Sequence, residues 1–455
     1  MGSRSSMSTI DNPSVLYVTL GCAKNEVDTD RMRALLLEDG FGEADTVEDA
    51  DAIIINTCSF LASATSESIE TTLELADNVA AGVRSRPIVM CGCVPSRYGD
   101  ELKGELPEVS AFVRADEEDG IVRVVRNVLG MGEPPMQDVC GQALRTIEGT
   151  SAYVKISDGC DRFCSFCAIP YIRGAYYSRP ADEIVAEVHR LMEGGVREIV
   201  LIGQDTGIWG SDFKPRRTLS DLLRLVAEEV RPYGGWVRVL YLQPEGMTDE
   251  LIATIRDTKE VLPYIDIPIQ HCCEGILSRM NRSGSIEELR ALFDRLRSEI
   301  PGMVLRTTGM AGFPGETDEE AEELASFIAE QEFDYTSVFA YSPEEGTAAA
   351  EMADQIDEDV KLERTQRLID IAEAMGFAAT ARHVGERVKV IVDGVEQGER
   401  GPELIGHAWF QAPDSDGAIH IEEGEATVGD IVSCDLVDSF CYELIGVMVE
   451  DGDDL

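Results

Sequence analysis

Gly159-Cys-Asp-Arg-Phe-Cys-Ser-Phe-Cys167 sets three thiols in a C-x₃-C-x₂-C run directly after the apolar stretch Tyr153 to Ile156. Three thiolates this close together can hold three corners of a 4Fe-4S cubane, and the missing fourth cysteine leaves one iron open to a small molecule. The alternative is a zinc site that borrows a fourth ligand from Cys272 or Cys273. Zinc sites favour ligand pairs at wider separation, so the tandem spacing of Cys160, Cys164 and Cys167 favours the cluster.

From this run the pattern extends outward as repeating strand and helix units. Strands are expected at Tyr153 to Ile156, Glu198 to Ile202, Val237 to Leu242, Tyr264 to Ile269, Val304 to Thr308 and Thr336 to Tyr341. Amphipathic helices fall between them, such as Ala181 to Met192, Leu219 to Val230 and Asp318 to Glu330, where apolar residues recur at helical period. Such repetition implies a full or partial β/α barrel, with its active site at the carboxyl ends of the strands.

The amino-terminal part reads as a separate α/β parallel-sheet domain. Val15 to Leu20, Ala52 to Asn56 and Pro87 to Cys91 are near-continuous apolar strands, separated by helices at Glu26 to Glu38 and Ser63 to Ala80. Cys22, Cys58 and Cys93 each follow one of these strands. Neighbouring parallel strands line one crevice at their carboxyl ends, which brings the three thiols together as a second incomplete cubane set. Three buried free thiols are the plainer reading, but the same placement after three consecutive strands favours a cluster. Cys91 lies within its strand and is expected to point into the sheet.

Beyond a helix at Asp359 to Arg382 the chain turns β-rich. Val388 to Val392, Ala418 to Glu422, Ile431 to Leu436 and Leu444 to Val449 are short runs punctuated by Gly and Asp-Gly, which suggests a small antiparallel β-barrel. The expected division is 13–130, a linker at 131–149 rich in Gly and Pro, 150–379, and 380–455. A chain of 455 residues is long enough for several cores.

Composition restricts the partners. No apolar run approaches the roughly 18 residues of a membrane span, so no membrane association and a cytoplasmic placement are expected. The twelve cysteines are too sparse for a disulfide scaffold and point to metal or redox chemistry. Net charge is −47, with 86 acidic against 39 basic residues. This suits either a basic partner or adaptation to high salt, and the even spread of acidic residues favours the second. Free nucleic acid is disfavoured as a partner, because phosphate binding needs a concentrated basic surface.

The Cys160 to Cys167 run, with Phe166 before its last cysteine, resembles the radical S-adenosylmethionine superfamily. The resemblance implies that the open iron chelates the methionine moiety, that the sulfonium is cleaved to a 5′-deoxyadenosyl radical, and that Phe166 packs near the adenine. Two cysteine trios on an α/β domain and a barrel, followed by a small β domain, are similar to the methylthiotransferases over about Val15 to Val449, the last domain being called TRAM. Gly203-Gln-Asp-Thr206, Tyr264-Ile-Asp-Ile-Pro-Ile-Gln-His271, Gly312-Phe-Pro-Gly-Glu316, Tyr341-Ser-Pro-Glu-Glu-Gly-Thr347 and Ala412-Pro-Asp-Ser-Asp-Gly417 lean toward the RimO type. Cys272, Cys273 and Trp409-Phe410 depart from the usual pattern.

What this resemblance implies is insertion of a methylthio group at the β-carbon of an aspartate in small-subunit ribosomal protein twelve. It also implies two 4Fe-4S clusters, S-adenosyl-L-methionine as cofactor, and a low-potential electron donor such as flavodoxin or ferredoxin. A transfer-RNA methylthiotransferase and a non-catalytic iron-sulfur carrier are the alternatives. Gln204, Asp205, Gln270, His271 and Arg306 are expected at or just beyond barrel strand ends, and Gln204, Gln270 and Arg306 are taken with Phe166 as cofactor contacts. No side chain is assigned as a catalytic acid, base or nucleophile, because the cofactor supplies the hard chemistry.

Overall fold

The computed structural model describes residues 12–82, 86–133, 145–398 and 401–450. Most of the expected linker, 134–144, lies outside the described residues. The chain forms two compact units. One comprises the described residues up to Thr146 together with Ala168–Ala175, and the other comprises Ile147–Cys167 and the chain from Tyr176 onward.

In the first unit β1 (Ser14–Thr19), β2 (Gly42–Glu43), β3 (Ala52–Thr57), β4 (Ile88–Gly92) and β5 (Val109–Arg114) form a parallel sheet in the order β2-β1-β3-β4-β5. β3 and β4 are buried along their whole length, as strands covered on both faces must be. Ile54, Val89 and Cys91 pack on one face, while Ile53, Ile55 and Met90 pack on the other. Cys91 is thus a core side chain with no exposure. β5 was absent from the expected strands.

The second unit begins with β6 (Ser151–Lys155), followed by the short pair β7 (Ser157–Asp158) and β8 (Tyr177–Ser178). Next come β9 (Glu198–Ile202), β10 (Trp236–Val239), β11 (Val261–Gln270), β12 (Val304–Ala311) and β13 (Tyr335–Ala340). The six long strands run parallel in the sequential order β6-β9-β10-β11-β12-β13, an open partial barrel. Its helices start where the sequence supplies caps. Thr218 with Asp221, Ser285 with Glu288 and Thr317 with Glu320 each form a capping box that satisfies otherwise orphaned backbone N–H groups.

The tail strands β14 (Arg387–Gly398), β15 (Gly401–Ala408), β16 (Ile419–Glu423), β17 (Ile431–Phe440) and β18 (Glu443–Val449) close into a barrel in the order β14-β15-β16-β18-β17. Its pairs are antiparallel except β16 with β18, which run parallel. β15 was also absent from the expected set.

This barrel is held to the amino-terminal ends of the six-stranded sheet by buried polar contacts. Glu198 Oε1 accepts from Arg238 Nε at 2.6 Å, and Glu198 Oε2 lies 2.7 Å from His407 Nε2, with Glu198 and Arg238 fully buried. Arg238 also donates to the Trp409 carbonyl at 3.0 Å and lies over the Tyr264 ring. Asp416, 2% exposed, accepts from Tyr264 and Arg306. The Asp-Ser-Asp loop of the tail therefore works as a docking plug.

Burial favours the neutral forms of Glu198 and His407, yet Arg238 and His407 hold the Glu198 carboxyl down to about 2, and Glu198 and Asp393 raise His407 to about 9. The carboxylate contribution is present above the ordinary value of 4.5 and is lost as pH falls through about 2. The imidazolium contribution is complete below 6.5 and is lost as pH rises through about 9. Glu198→Gln should lower the unfolding free energy by about 3–5 kcal/mol, since it leaves a buried guanidinium without its counter-charge. Urea titrations should show a large deficit of the variant at neutral pH that persists above pH 9, where the Glu198–Arg238 pair is still charged and only the His407 contribution has gone.

Candidate functional site

In the amino-terminal unit Cys58 and Cys93 directly follow β3 and β4, and Cys22 lies in the turn just past β1. Gly21 and Gly92 precede Cys22 and Cys93 with φ of +106° and +90°, where a side chain is strained. A Cβ on Gly21 would lie 2.7 Å from Cys58 Cβ, and one on Gly92 would lie 2.2 Å from Asn56 Oδ1. Close approach of the three strand ends therefore requires these glycines. Cys22 is exposed, Cys58 and Cys93 are buried, and all three are free thiols. They are near enough to interact electrostatically with one another. Burial pushes the Cys58 thiol up and Cys93 up to about 11, with the nearby Arg173 opposing both shifts.

Arg173 was not foreseen. Its Nη2 donates to Asp28 Oδ2 and Asn25 Oδ1 at 3.0 Å each and stands 3.9 Å from Cys93 Sγ, all within this unit. Asn25 also donates to the carbonyls of Leu20 and Thr57, at 2.8 and 3.0 Å, and so ties the ends of β1 and β3 together. A buried cation facing convergent thiols suits a group that carries net negative charge.

In the second unit Cys160, Cys164 and Cys167 lie in the loop after β7, partly exposed and free. The Cys167 N–H donates to the Cys164 carbonyl at 2.9 Å, and the Ser165 N–H to the Met280 carbonyl at 3.0 Å, which fold and anchor the loop. Burial raises the Cys160 thiol. Arg282, half-buried beside Cys164, donates to Gln243 Oε1 and to the Pro268 carbonyl; desolvation lowers its pKa, opposed by Cys164 and Glu245. Each cysteine trio therefore faces an arginine, Arg173 buried and Arg282 half-buried.

Gln204 follows the carboxyl end of β9, and both its amide atoms are buried without a partner. Asp205 Oδ1, Ser157 Oγ and Tyr341 Oη are likewise buried and unpartnered, while Asp205 Oδ2 accepts from Arg162. Unmet polar atoms at these strand ends fit a polar ligand, because burial without one is costly. Phe166 is half-buried against the barrel core, and Gln270 closes β11 with φ of +66°. His271 follows it, fully buried.

Arg306 departs from expectation. It is the third residue of β12, five positions before the strand ends at Ala311, and its guanidinium is taken by Asp416 and Ser415 of the tail barrel. The expectation of a strand-end position is corrected. Opposite charge in a buried setting, supplied 110 positions away, has drawn the side chain toward the docked barrel.

Comparison with known proteins agrees with this anatomy. The Radical SAM superfamily matches residues 154–328, the Uncharacterized protein family UPF0004 residues 14–114, and the TRAM domain residues 384–449. A "Ribosomal protein uS12 methylthiotransferase RimO" of Trichlorobacter lovleyi is 40% identical, covering 98% of this chain and 100% of the relative. One of the same name from Geobacter sulfurreducens is 42% identical over 96% and 98%. Among solved structures, the radical S-adenosylmethionine methyltransferase TsrM from Kitasatospora setae, with cobalamin and a [4Fe-4S] cluster bound, shares the fold at a TM-score of 0.56 and 15% identity, covering 74% of this chain and 77% of its own. With such identity sustained over nearly the whole length of both relatives, the chain belongs to the RimO methylthiotransferase family of the Radical SAM superfamily.

Proposed function

We propose that this protein inserts a methylthio group at the β-carbon of an aspartate in ribosomal protein uS12, using two 4Fe-4S clusters and S-adenosyl-L-methionine. The observation that carries the two-cluster reading is the pair of thiol trios, each beside an arginine drawn at least partly out of water. Cys22, Cys58 and Cys93 would hold one cluster, and Cys160, Cys164 and Cys167 the other. Neither trio belongs to a set of donors within 4.8 Å of one another, as a single ion requires, whereas cubane thiolates sit on different irons and stand wider apart. Full-length relatives bearing the uS12 name support the substrate.

When bound, the cluster at Cys160, Cys164 and Cys167 supplies the electron that cleaves the sulfonium and so permits removal of an unactivated C–H hydrogen. This chain's residues bind and orient. Gln204 and Asp205 offer unpartnered amide and carboxylate atoms to the cofactor at the end of β9, and Phe166 supplies an apolar face. Arg282 and Arg173 place positive charge against thiolates, which favours their deprotonated, metal-ligating form. In this reading 13–130 carries the sulfur-donating site, 150–379 the radical site and 380–455 the TRAM barrel. A low-potential donor such as flavodoxin or ferredoxin supplies the electron, and the reaction proceeds in the cytoplasm. No helix among the described residues is long and apolar enough to cross a membrane.

Mass analysis of uS12 and of transfer RNA from a deletion strain and its complemented counterpart tests the reading. Loss of the added methylthio mass from uS12 alone is expected; loss from transfer RNA alone overturns the substrate. The tail carries 18 acidic against 4 basic residues from Thr380 to Leu455 and should bind the basic ribosomal protein rather than transfer RNA. Replacing the exposed Glu396, Glu422, Glu423 and Glu425 by Gln in the full chain should weaken uS12 binding at low salt and matter little at high salt. Salt-series titrations with uS12 and with transfer RNA measure this.

A further inference from the structure

Besides the two trios, three consecutive side chains converge just beyond the carboxyl end of β11. Among the described residues, His271, Cys272 and Cys273 are the group of His, Cys, Asp and Glu donors whose ligand atoms all lie within 4.8 Å of one another, and all three are buried. Cys273 Sγ also lies 3.0 Å from Glu323 Oε2, on the helix Asp318–Gln331. Glu323 is exposed and can swing as a fourth donor.

The imidazole tautomer is set by its neighbours. The Cys273 N–H donates to His271 Nδ1 at 3.1 Å, so in the neutral ring Nδ1 holds the lone pair and Nε2 the proton. Nε2 stands 3.3 Å from Glu316 Oε1, both side chains are fully buried, and neither atom completes a hydrogen bond. Glu316 Oε2 is clamped by the Gly312 N–H at 2.8 Å and by Arg364 Nη1 at 2.6 Å. A histidine whose Nδ1 lone pair is held only by a neighbouring backbone N–H, beside two thiols, and whose Nε2 faces a fixed carboxylate has the surroundings of a zinc-ligating imidazole. A tetrahedral ion with sulfur ligands at about 2.3 Å and nitrogen or oxygen at about 2.0–2.2 Å fits within such a donor set.

We propose that His271 Nδ1, Cys272 Sγ, Cys273 Sγ and the Glu323 carboxylate form a site for one thiophilic divalent cation of the zinc class, separate from both cluster sites. On binding, the two thiol protons leave to solvent, His271 Nδ1 gives up the Cys273 N–H for the cation, one metal–nitrogen and two metal–sulfur bonds form, and no oxidation state changes. The cation braces the end of β11 against the helix that carries Glu323. Gln270, held at a left-handed φ directly before the site, is the strand-end residue steadied by that brace.

The test uses the full chain, anaerobically reconstituted with iron and sulfide, incubated with zinc and desalted, with iron and zinc counted in the same sample. About one zinc per chain is expected with iron unchanged, falling below roughly a tenth of that in the Cys272→Ala/Cys273→Ala variant. Cobalt in place of zinc should give tetrahedral and thiolate charge-transfer bands that this variant lacks. Glu316→Gln should weaken zinc binding by about tenfold without removing a ligand. Equal zinc in wild type and double variant, or zinc gained only as iron is lost, overturns the site. Should the double variant fail to fold, Glu323→Gln on the exposed helix decides: weakened zinc binding supports the site, and unchanged affinity overturns it.

Discussion

Replacing Cys160, Cys164 and Cys167 together by Ala is expected to abolish 5′-deoxyadenosine formation from S-adenosylmethionine and to remove about half of the iron bound after anaerobic reconstitution. The three thiols are free and partly exposed, their loop is anchored by Ser165 to Met280, and Arg282 lies half-buried beside Cys164. No other cysteine lies in that loop. The fold should survive, because these side chains belong to no core cluster among the described residues. Reductive cleavage that persists in a folded triple variant would sink the assignment. The loss should reach the background of the assay, since one trio member alone cannot be replaced by a neighbour.

The second large effect separates two chemistries on one chain. Replacing Cys22, Cys58 and Cys93 by Ala should leave S-adenosylmethionine cleavage measurable while abolishing methylthio transfer to uS12, with loss of the other half of the iron, roughly. Each cysteine follows its own strand, so the trio exists only when β1, β3 and β4 are paired. Cys91 supplies the control. It is fully buried among Val89, Ile54 and Val113, so Cys91→Ala should cost stability through a small cavity and leave the iron content unchanged. If Cys91→Ala removed the iron and Cys93→Ala kept it, the strand-end reading would be reversed.

Much of the fold was legible because its signals are short in range. All six barrel strands were expected within a few residues of their observed limits, since continuous apolar runs and helical periodicity are local properties. β5 and β15 were less legible for opposite reasons. Val109-Ser-Ala-Phe-Val-Arg114 mixes exposed and buried positions, being the edge of its sheet. Gly401-Pro-Glu-Leu-Ile-Gly-His-Ala408 carries Pro and two Gly, residues that weaken strands, and it is recruited by hairpin pairing with β14 and by barrel closure.

By itself the sequence determined the C-x₃-C-x₂-C spacing, the placement of the second trio after successive strands, the change from alternating strands and helices to a β-rich tail, and the acidity of that tail. These follow from spacing, period and counting. Tertiary structure alone decided which polar groups meet. It brought Arg173 to Cys93 across 80 positions, His407 to Glu198 across 209, and Cys273 to Glu323 across 50. It also turned Arg306 from an expected cofactor contact into a partner of Asp416. Such pairings leave no period in a sequence: they are selected by burial, where a charge taken from water must find its partner wherever the fold supplies one.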